Sequence, residues 1–293
     1  MQRHITILPI LATIIGIGFF SAMDAAMKSA SIAVGAYSAY FLRCVIGVSI
    51  ISPVWLLQRH KWPSREVLKI HLTRGLVVAF MGWSFFFSLV RLPLAEAIAL
   101  SFIAPLIALY LAAIILAERV RPRAVYAALL GLAGVLAIIG GKIGNEEMSD
   151  EAALGTAALL LSAVLYAWNL ILQRQQALVA SPVEVSTFQN GIVAIVLLAG
   201  TPFLLVILQG DQWIDIAAGA VLGVAAALIL SWAYARAETQ ILVPIEYTGF
   251  LWAVLFGWLF FQEEVTIETL AGTSLIVIGC LIAARKRPEQ SAL

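Results

Sequence analysis

One stretch of sequence decides the fold class: residues 214–235 read IDIAAGAVLGVAAALILSWAYA, and Asp215 is the single charged residue among them. A helix needs about 20 mainly apolar residues to cross a bilayer. Similar runs recur along the 293-residue chain, which is 62% hydrophobic and 12% charged, whereas a soluble domain is about 25% charged. The sequence predicts an all-α integral membrane protein, because the strands of a membrane barrel would alternate apolar and polar residues.

Apolar runs between charge clusters and Gly or Pro punctuation predict ten transmembrane helices. Such a chain has only short loops and no room for a soluble catalytic domain, and its net charge of +1 disfavours nucleic acid as a partner. Three His without ligand spacing and two Cys inside apolar runs predict no metal site, and we expect no cofactor. The predicted spans are 5–27, 34–57, 70–90, 94–116, 122–141, 153–173, 182–208, 214–235, 241–261 and 266–284.

The distribution of Lys and Arg predicts the orientation of these spans. If the N-terminus lies on side one, 14 of the 18 basic residues fall on that side, three fall on the other, and Arg43 lies inside the second span. Cytoplasmic loops carry the excess of Lys and Arg. We therefore expect a multi-pass protein of the bacterial inner membrane with both termini in the cytoplasm.

The chain also carries traces of an internal repeat. Residues 117–120 (AERV) end the fourth predicted span, and residues 262–265 (QEEV) end the ninth, 145 positions later. The prediction is a first five-helix repeat at 1–141, an external connecting loop at 142–152 and a second repeat at 153–293. Five crossings are an odd number, so the second repeat must be inverted. Inverted repeats are typical of secondary transporters, which bind substrate between the repeats and work by alternating access.

Ionisable side chains inside the predicted spans are costly, so each is a functional hypothesis. Asp24 and Lys28 have the spacing of a helix ion pair, and Arg43 lies at a depth that Asp24 could reach. The alternatives for these three are a gate, an anchor for a substrate carboxylate, or a permanent structural pair. Glu96 begins the fourth span, where we expect it at the interface or paired with Arg91 or Arg43.

Glu246 is the most informative of these acids. It lies two residues after Pro244 in the ninth span, and Gly249, Ala253 and Gly257 follow at helical spacing on its face. Small residues let another backbone approach, so this carboxyl group should face protein or a cavity. It would carry a coupling proton or bind a substrate amine. The structural alternative is a carboxylate that accepts hydrogen bonds from Tyr or Trp.

Four tryptophans lie in the middle of predicted spans, where an interfacial role does not explain them: Trp83, Trp168, Trp232 and Trp252. Three have polar neighbours, and an aromatic lining with polar groups suits an organic solute better than a bare ion. Ordinary packing between helices is the alternative.

The motifs together resemble the EamA group of the drug/metabolite transporter superfamily. They are Asp24-Ala25-x-x-Lys28, residues 92–97 (LPLAEA), the span of Pro105 and the span-ending Glu118 and Glu263. The resemblance covers essentially the whole chain. It implies a cavity lined by spans 1, 3, 4, 6, 8 and 9. The candidate cavity residues are Trp83, Ser84, Ser101, Trp168, Asn169, Trp232, Glu246 and Tyr247, and the candidate gate or ion-pair residues are Asp24, Lys28, Arg43 and Glu96.

The prediction for function is a secondary transporter, not an enzyme, that exports an amino acid or a related zwitterionic or aromatic metabolite. The alternatives are an importer of S-adenosylmethionine or riboflavin, and a polytopic membrane enzyme, channel or other non-transporting membrane protein. The expected partners are the small organic substrate, the lipid bilayer and a coupling proton, unless the substrate gradient alone drives transport. The protein would be a monomer or a homodimer, because glycines in spans five and ten suit dimerisation and internal packing equally. These glycines are Gly131, Gly134, Gly272 and Gly279.

Overall fold

A computed structural model of the chain shows a helical bundle. It describes residues 7–58, 62–104, 106–107, 122–144, 149–177, 179–206, 208, 210, 212–234, 236, 245 and 247–284. Within these residues ten helices have eight residues or more. They are α1 (Ile7–Val34), α2 (Ala36–Leu57), α3 (Arg65–Leu89), α4 (Leu94–Ser101), α5 (Pro122–Gly144), α6 (Asp150–Ala177), α7 (Pro182–Leu198), α8 (Gln212–Tyr234), α9 (Thr248–Phe261) and α10 (Ile267–Ala284).

The lengths and composition of these helices make the chain a multi-pass membrane protein. Five of them, α1, α2, α3, α6 and α8, contain segments long and apolar enough to cross a membrane, and shorter apolar segments lie in α5, α7, α9 and α10. The count of ten crossings stays a prediction, since most of the fourth predicted span after Ser101 lies outside the described residues. Serine caps fix two helix starts, because Ser64 Oγ accepts from the amide of Val67 and Ser181 Oγ from that of Glu184.

The helices pack in pairs that join the two halves of the chain. Pairs between the two halves include α1 with α8, α3 with α6, α2 with α7, α4 with α9 and α5 with α10. Exchanging the first five helices for the last five, in chain order, interchanges the α1–α8 and α3–α6 pairs and maps each of the other three pairs onto itself. The two halves are therefore intertwined rather than packed as separate bundles.

Side-chain contacts show which helix ends share a face of the bundle. Lys28, near the end of α1, bonds to Leu92 after α3 and to Glu263 after α9. Two further contacts on this face join α1 to the start of α8 and the end of α3 to the start of α6. They are Ser29 Oγ to Asp215 Oδ2 (2.6 Å) and Arg91 Nε to Glu151 Oε2 (2.7 Å).

We call this face the Lys28 end. Helices α1, α3 and α9 finish there, whereas α4, α6 and α8 begin there. The first, third and fourth helices of one half thus run opposite to the matching helices of the other half.

Glycines of the α5–α10 pair lie at close contacts within the chain. A Cβ on Gly134 would lie 2.5 Å from the carbonyl oxygen of Gly272, and a Cβ on Gly272 would lie 2.5 Å from that of Gly134. A Cβ on Gly131 would lie 2.3 Å from a methyl carbon of Leu106. These three glycines are therefore used in packing within the chain, where the sequence left dimerisation equally open.

Candidate functional site

Lys28 is buried at the end of α1, with 4% of its surface exposed. Its Nζ donates to the carbonyl oxygen of Leu92 (2.7 Å) and forms an ion pair with Glu263 Oε1. The other oxygen of that carboxylate, Oε2, accepts from the amide of Leu94 (2.7 Å) at the start of α4, where the helix dipole favours a negative charge. Lys28 therefore neither reaches the surface nor pairs with Asp24, because Glu263 is its partner.

Asp24 faces the interior of the bundle and is only partly buried. Four of the six exposed large apolar residues of α1, Leu8, Leu11, Ile15 and Phe19, form a stripe, and Ile7 and Ile32 are the other two. At about 100° per residue, Asp24 lies about 140–180° around the helix from every member of that stripe. Asp24 therefore lies on the side of α1 opposite its main apolar stripe.

Arg43 approaches the same region from α2. Its Nη2 lies against Gly223 of α8, where a Cβ would be only 2.4 Å away, and its Nε is buried without a hydrogen-bond partner. The positive charge of Arg43 interacts electrostatically with Asp24. Among the described residues, however, no carboxylate oxygen lies within 4.0 Å of the Arg43 guanidinium. Asp24 and Arg43 are thus opposite charges held near each other without forming an ion pair.

Aromatic side chains of α2 and α3 adjoin Arg43. Tyr40, one helical turn before Arg43, donates to the carbonyl oxygen of Val78 (3.0 Å). The ring of Tyr37 meets that of half-buried Trp83 edge-on, with centroids 5.6 Å apart. Tyr40 is therefore fixed near Arg43, while Tyr37 and Trp83 form an aromatic contact on the same two helices.

A second buried polar cluster, which we call the Arg74 network, joins α3, α6 and α7. Arg74 Nε donates to Asn169 Oδ1 (2.9 Å), and its Nη1 donates to Gln176 Oε1. The other atom of that amide, Nε2, meets His71 Nδ1, and His71 Nε2 lies 3.1 Å from Glu184 Oε1. This network was not predicted from the sequence, because His71 and Arg74 lie at the start of the predicted span 70–90 and were assigned to the cytoplasmic side, whereas α3 begins at Arg65 and buries both.

The hydrogen bonds of the Arg74 network can all be satisfied in one arrangement. The amide of Gln176 accepts from the Arg74 cation and donates to His71 Nδ1, so the proton of a neutral His71 lies on Nε2 and points to Glu184. Every donor then points from the cation toward the carboxylate. The network is an extended ion pair bridged by two neutral side chains, which is a structural use of buried charge. The spacing of His71 and Arg74, three residues apart on one helix face, was the available signal.

The structure separates Trp168 from its neighbour Asn169. Trp168 is 46% exposed and shares the outer stripe of α6 with Leu154, Leu161 and Val164. Asn169 points inward and belongs to the Arg74 network. Of these two neighbours, Trp168 therefore faces outward and Asn169 faces the interior.

The other candidate residues are dispersed. Ser101 donates to the carbonyl oxygen of Ala97 (2.8 Å), and the ring of Tyr247 meets that of Phe102 at 5.0 Å. The guanidinium of Arg236 lies 4.3 Å from the ring centroid of Trp232.

Ser84 and Trp252 are half-buried, and Glu96 is buried. Ser84 follows Trp83 in α3, and Trp252 stacks on Phe256 at 5.8 Å. Glu96 is 5% exposed and its charge acts on Lys28, whereas the expected partner Arg91 bonds to Glu151. Glu246 lies outside the described residues.

The sequence of the whole chain matches a known family. The profile of the EamA-like transporter family matches residues 7–140 and, a second time, residues 153–285. The chain belongs to the EamA-like transporter family. It is therefore a small-molecule transporter of the drug/metabolite transporter superfamily and not an enzyme.

Individual relatives agree with this membership. A pseudopaline exporter, CntI, from Pseudomonas aeruginosa is 28% identical over 274 residues, covering 92% of this chain and 93% of that protein. An aromatic amino acid exporter, YddG, from Ancylobacter novellus is 32% identical over 142 residues, covering 48% and 44%. One crystal structure shares the fold, with a TM-score of 0.62, 22% identity and 97% coverage of both chains.

Proposed function

We propose that this transporter exports a small zwitterionic metabolite, an amino acid or a related compound with an aromatic part, across the bacterial inner membrane by alternating access. The observation that carries the proposal is the pair Asp24 and Arg43, two opposite charges inside the bundle that are close but not bonded to each other.

Burial of charge is the reason to give this pair a role in binding. A charged group inside a membrane bundle is costly and normally pairs with an opposite charge. Asp24 lies on the side of α1 opposite its main apolar stripe, and Arg43 keeps a buried Nε without a hydrogen-bond partner. A zwitterion supplies both missing partners, because its ammonium group binds Asp24 and its carboxylate binds Arg43.

The surroundings of Arg43 favour an organic substrate over an inorganic ion. Tyr40 lies near Arg43, and Tyr37 contacts half-buried Trp83 on the same two helices, α2 and α3. Aromatic surface of this kind binds the apolar part of a ligand. The relatives whose names give a substrate include an exporter of aromatic amino acids. We leave Trp168 and Asn169 out of this site, since one lies on the outer stripe of α6 and the other holds Arg74.

The remaining candidate residues would line the transport path away from the Asp24–Arg43 site. Ser84, Ser101, Trp232 and Tyr247 lie on helices that the family resemblance assigns to the cavity. Glu246, in the residues before α9, is our candidate for carrying a coupling proton. Glu246→Gln should then abolish coupled transport while leaving the protein inserted.

The packing of the helices supports alternating access between two inverted repeats, at 1–141 and 153–293 with a connection at 142–152. The first, third and fourth helices of one half run opposite to their matches in the other half, and the set of helix pairs between the halves is preserved when the halves are exchanged. The excess of Lys and Arg predicts a cytoplasmic location for both termini, which makes the Lys28 end the external one.

The experiment is transport into liposomes by the purified protein, with phenylalanine compared with phenethylamine and phenylpropionate, which each lack one of its two charged groups. A hydrogen bond to a charged group contributes about 1.5–3 kcal/mol, so the zwitterion should be preferred by about tenfold or more over either analogue. Asp24→Asn and Arg43→Gln should remove the preference. The matched control is Asp150→Asn, the same change at an exposed acid.

A thermal-shift screen of the purified protein selects the compounds to load. A ligand at one hundred times its Kd stabilises the folded state by about 2.7 kcal/mol. Stabilisation by riboflavin or S-adenosylmethionine and not by any amino acid would overturn the zwitterion proposal, as would equal transport of all three compounds in the liposomes.

A further inference from the structure

We propose that the ion pair between Lys28 and Glu263 is the external gate of the transport path, which opens once in each cycle. The proposal rests on the proposed function for the direction of transport and the identity of the external side. Its geometry is independent of which substrate is carried.

Glu263 is held in position by several features of its own segment. Gln262, just before it, has a φ of 55°, which is in the left-handed region that side chains other than glycine rarely adopt. This conformation turns the chain so that the amide of Glu263 donates back to the carbonyl oxygen of Gly257 (3.1 Å). A Cβ on Gly257 would lie 2.9 Å from Glu263 Oε2, so the glycine leaves room for the carboxylate.

The contacts of this carboxylate cross a boundary between two groups of helices. Helices α1, α2, α8 and α9 form one group, in which α1 contacts the other three, and α3, α4, α6 and α7 form a second, in which α3 contacts the other three. The contacts of α2 with α7 and of α4 with α9 join the two groups. Exchanging the halves of the chain converts one group into the other, which is the relation expected of two bodies that rock against each other. Lys28 and Glu263 belong to the first group, and they bond to Leu92 and Leu94 of the second.

The Arg74 network provides the contrast. All of its members lie on α3, α6 and α7, so the network stays within the second group and need not break when the groups move. The Lys28 contacts must break if the groups separate at this end. Two buried polar clusters of similar composition therefore have different roles, one rigid and one reversible.

Space next to the ion pair allows such an opening. A pocket of about 380 Å³, open to the surface, lies between the two groups and is lined by Lys28 and Glu263 together with Phe261 and Arg91. Lys28 Nζ lies 5.0 Å from the centroid of the Phe261 ring, which offers the cation an alternative partner when the carboxylate moves away.

The first test measures access to the interior from outside. Asp24→Cys, placed in a chain whose own cysteines are replaced, serves as the reporter for a membrane-impermeant maleimide. Glu263→Gln weakens the attraction to Lys28 but can still accept from the amide of Leu94. We expect it to raise the labelling rate of the reporter severalfold. Glu264→Gln, the same change at the exposed neighbour, should leave the rate unchanged.

The second test closes the gate covalently. Lys28→Cys and Glu263→Cys are combined in the cysteine-free chain and joined by a short, reducible thiol cross-linker. Transport in liposomes should stop after cross-linking and return after reduction, whereas each single variant should be insensitive to the reagent. Full transport by the cross-linked protein, or unchanged labelling in Glu263→Gln, would overturn the gate.

The outcomes separate this inference from the proposed function. If no zwitterion stabilises or crosses with the parent protein, the substrate proposal fails while the labelling test still decides the gate. If the parent and the cross-linked protein transport zwitterions equally well, the gate proposal is wrong and the substrate proposal stands.

Discussion

At the scale of single residues, the bundle contains three arrangements of charge with different consequences. Lys28 and Glu263 are in direct contact, Arg74 and Glu184 are connected through Gln176 and His71, and Asp24 and Arg43 are left apart. A buried charge needs compensation, and the first two arrangements supply it within the protein. For the third, we propose that a bound ligand supplies it.

A substitution at Gly223 tests whether substrate binding depends on the position of the Arg43 guanidinium. Gly223→Ala places a methyl group about where Arg43 Nη2 now lies, and the far end of this flexible side chain can move aside without unfolding the protein. We expect the apparent KM for a zwitterionic substrate to rise about tenfold or more, because misplacing a binding group by about 1 Å is costly.

The matched control for this prediction is Gly219→Ala, one turn earlier on α8. A Cβ there would meet the flexible side chain of Met27 instead, with its sulfur at 2.9 Å. The KM of the control should stay near that of the parent. Equal effects of the two variants, with KM measured by uptake into liposomes, would remove Arg43 from substrate binding.

At the scale of helices, α5 and α10 form a pair that packs mainly against itself, whereas the other eight helices are intertwined. Their close approach depends on Gly134 and Gly272, where the backbone of one helix occupies the space of a side chain on the other. Small residues at such crossings are what permit close helix packing in membranes.

Gly134→Ala should therefore destabilise the protein. The added methyl group would meet a backbone oxygen at 2.5 Å, which cannot move aside as a side-chain end does, so the helices must separate. Overpacking of this kind typically costs about 1–3 kcal/mol, and we expect a lower midpoint of thermal unfolding in detergent.

Gly140→Ala on the same helix is the control, since a Cβ there has no neighbour within 4 Å. Its midpoint should match that of the parent protein. If Gly134→Ala were equally stable, the α5–α10 crossing would not be a tight contact, and dimerisation through these glycines would again have to be considered.

At the scale of the whole molecule, the arrangement of charge predicts which end faces the cytoplasm. Glu66 lies at the start of α3 and Asp150 at the start of α6, on opposite ends of the bundle, and both are exposed. In intact cells a membrane-impermeant maleimide should label Asp150→Cys, and it should label Glu66→Cys only after the cells are broken. The reverse pattern would invert the assignment of the Lys28 end.

Much of the architecture could be read from the sequence. The long apolar runs gave spans that overlap the described helices, because a bilayer imposes a minimum apolar length on any helix that crosses it. The ends are less accurate: the first span ends seven residues before Val34, and the seventh runs ten residues past Leu198. The family was also apparent, since residues 24–28, 92–97 and the paired span ends match its motifs across the chain. The third span was placed five residues late, which put Arg65 in a loop, and His71 and Arg74, although inside that span, were assigned to its cytoplasmic edge and not to the buried groups.

What the sequence determined by itself was the helical membrane fold, the transporter family and the presence of costly charges within the spans. These follow from local composition and from motifs that are contiguous in the chain. Only the tertiary structure decided the partners of those charges, because Glu263 is 235 positions from Lys28 and Gln176 is 102 from Arg74. Spacing along one helix favoured Asp24 for Lys28, but the crossing of α1, α4 and α9 brings a different carboxylate closer.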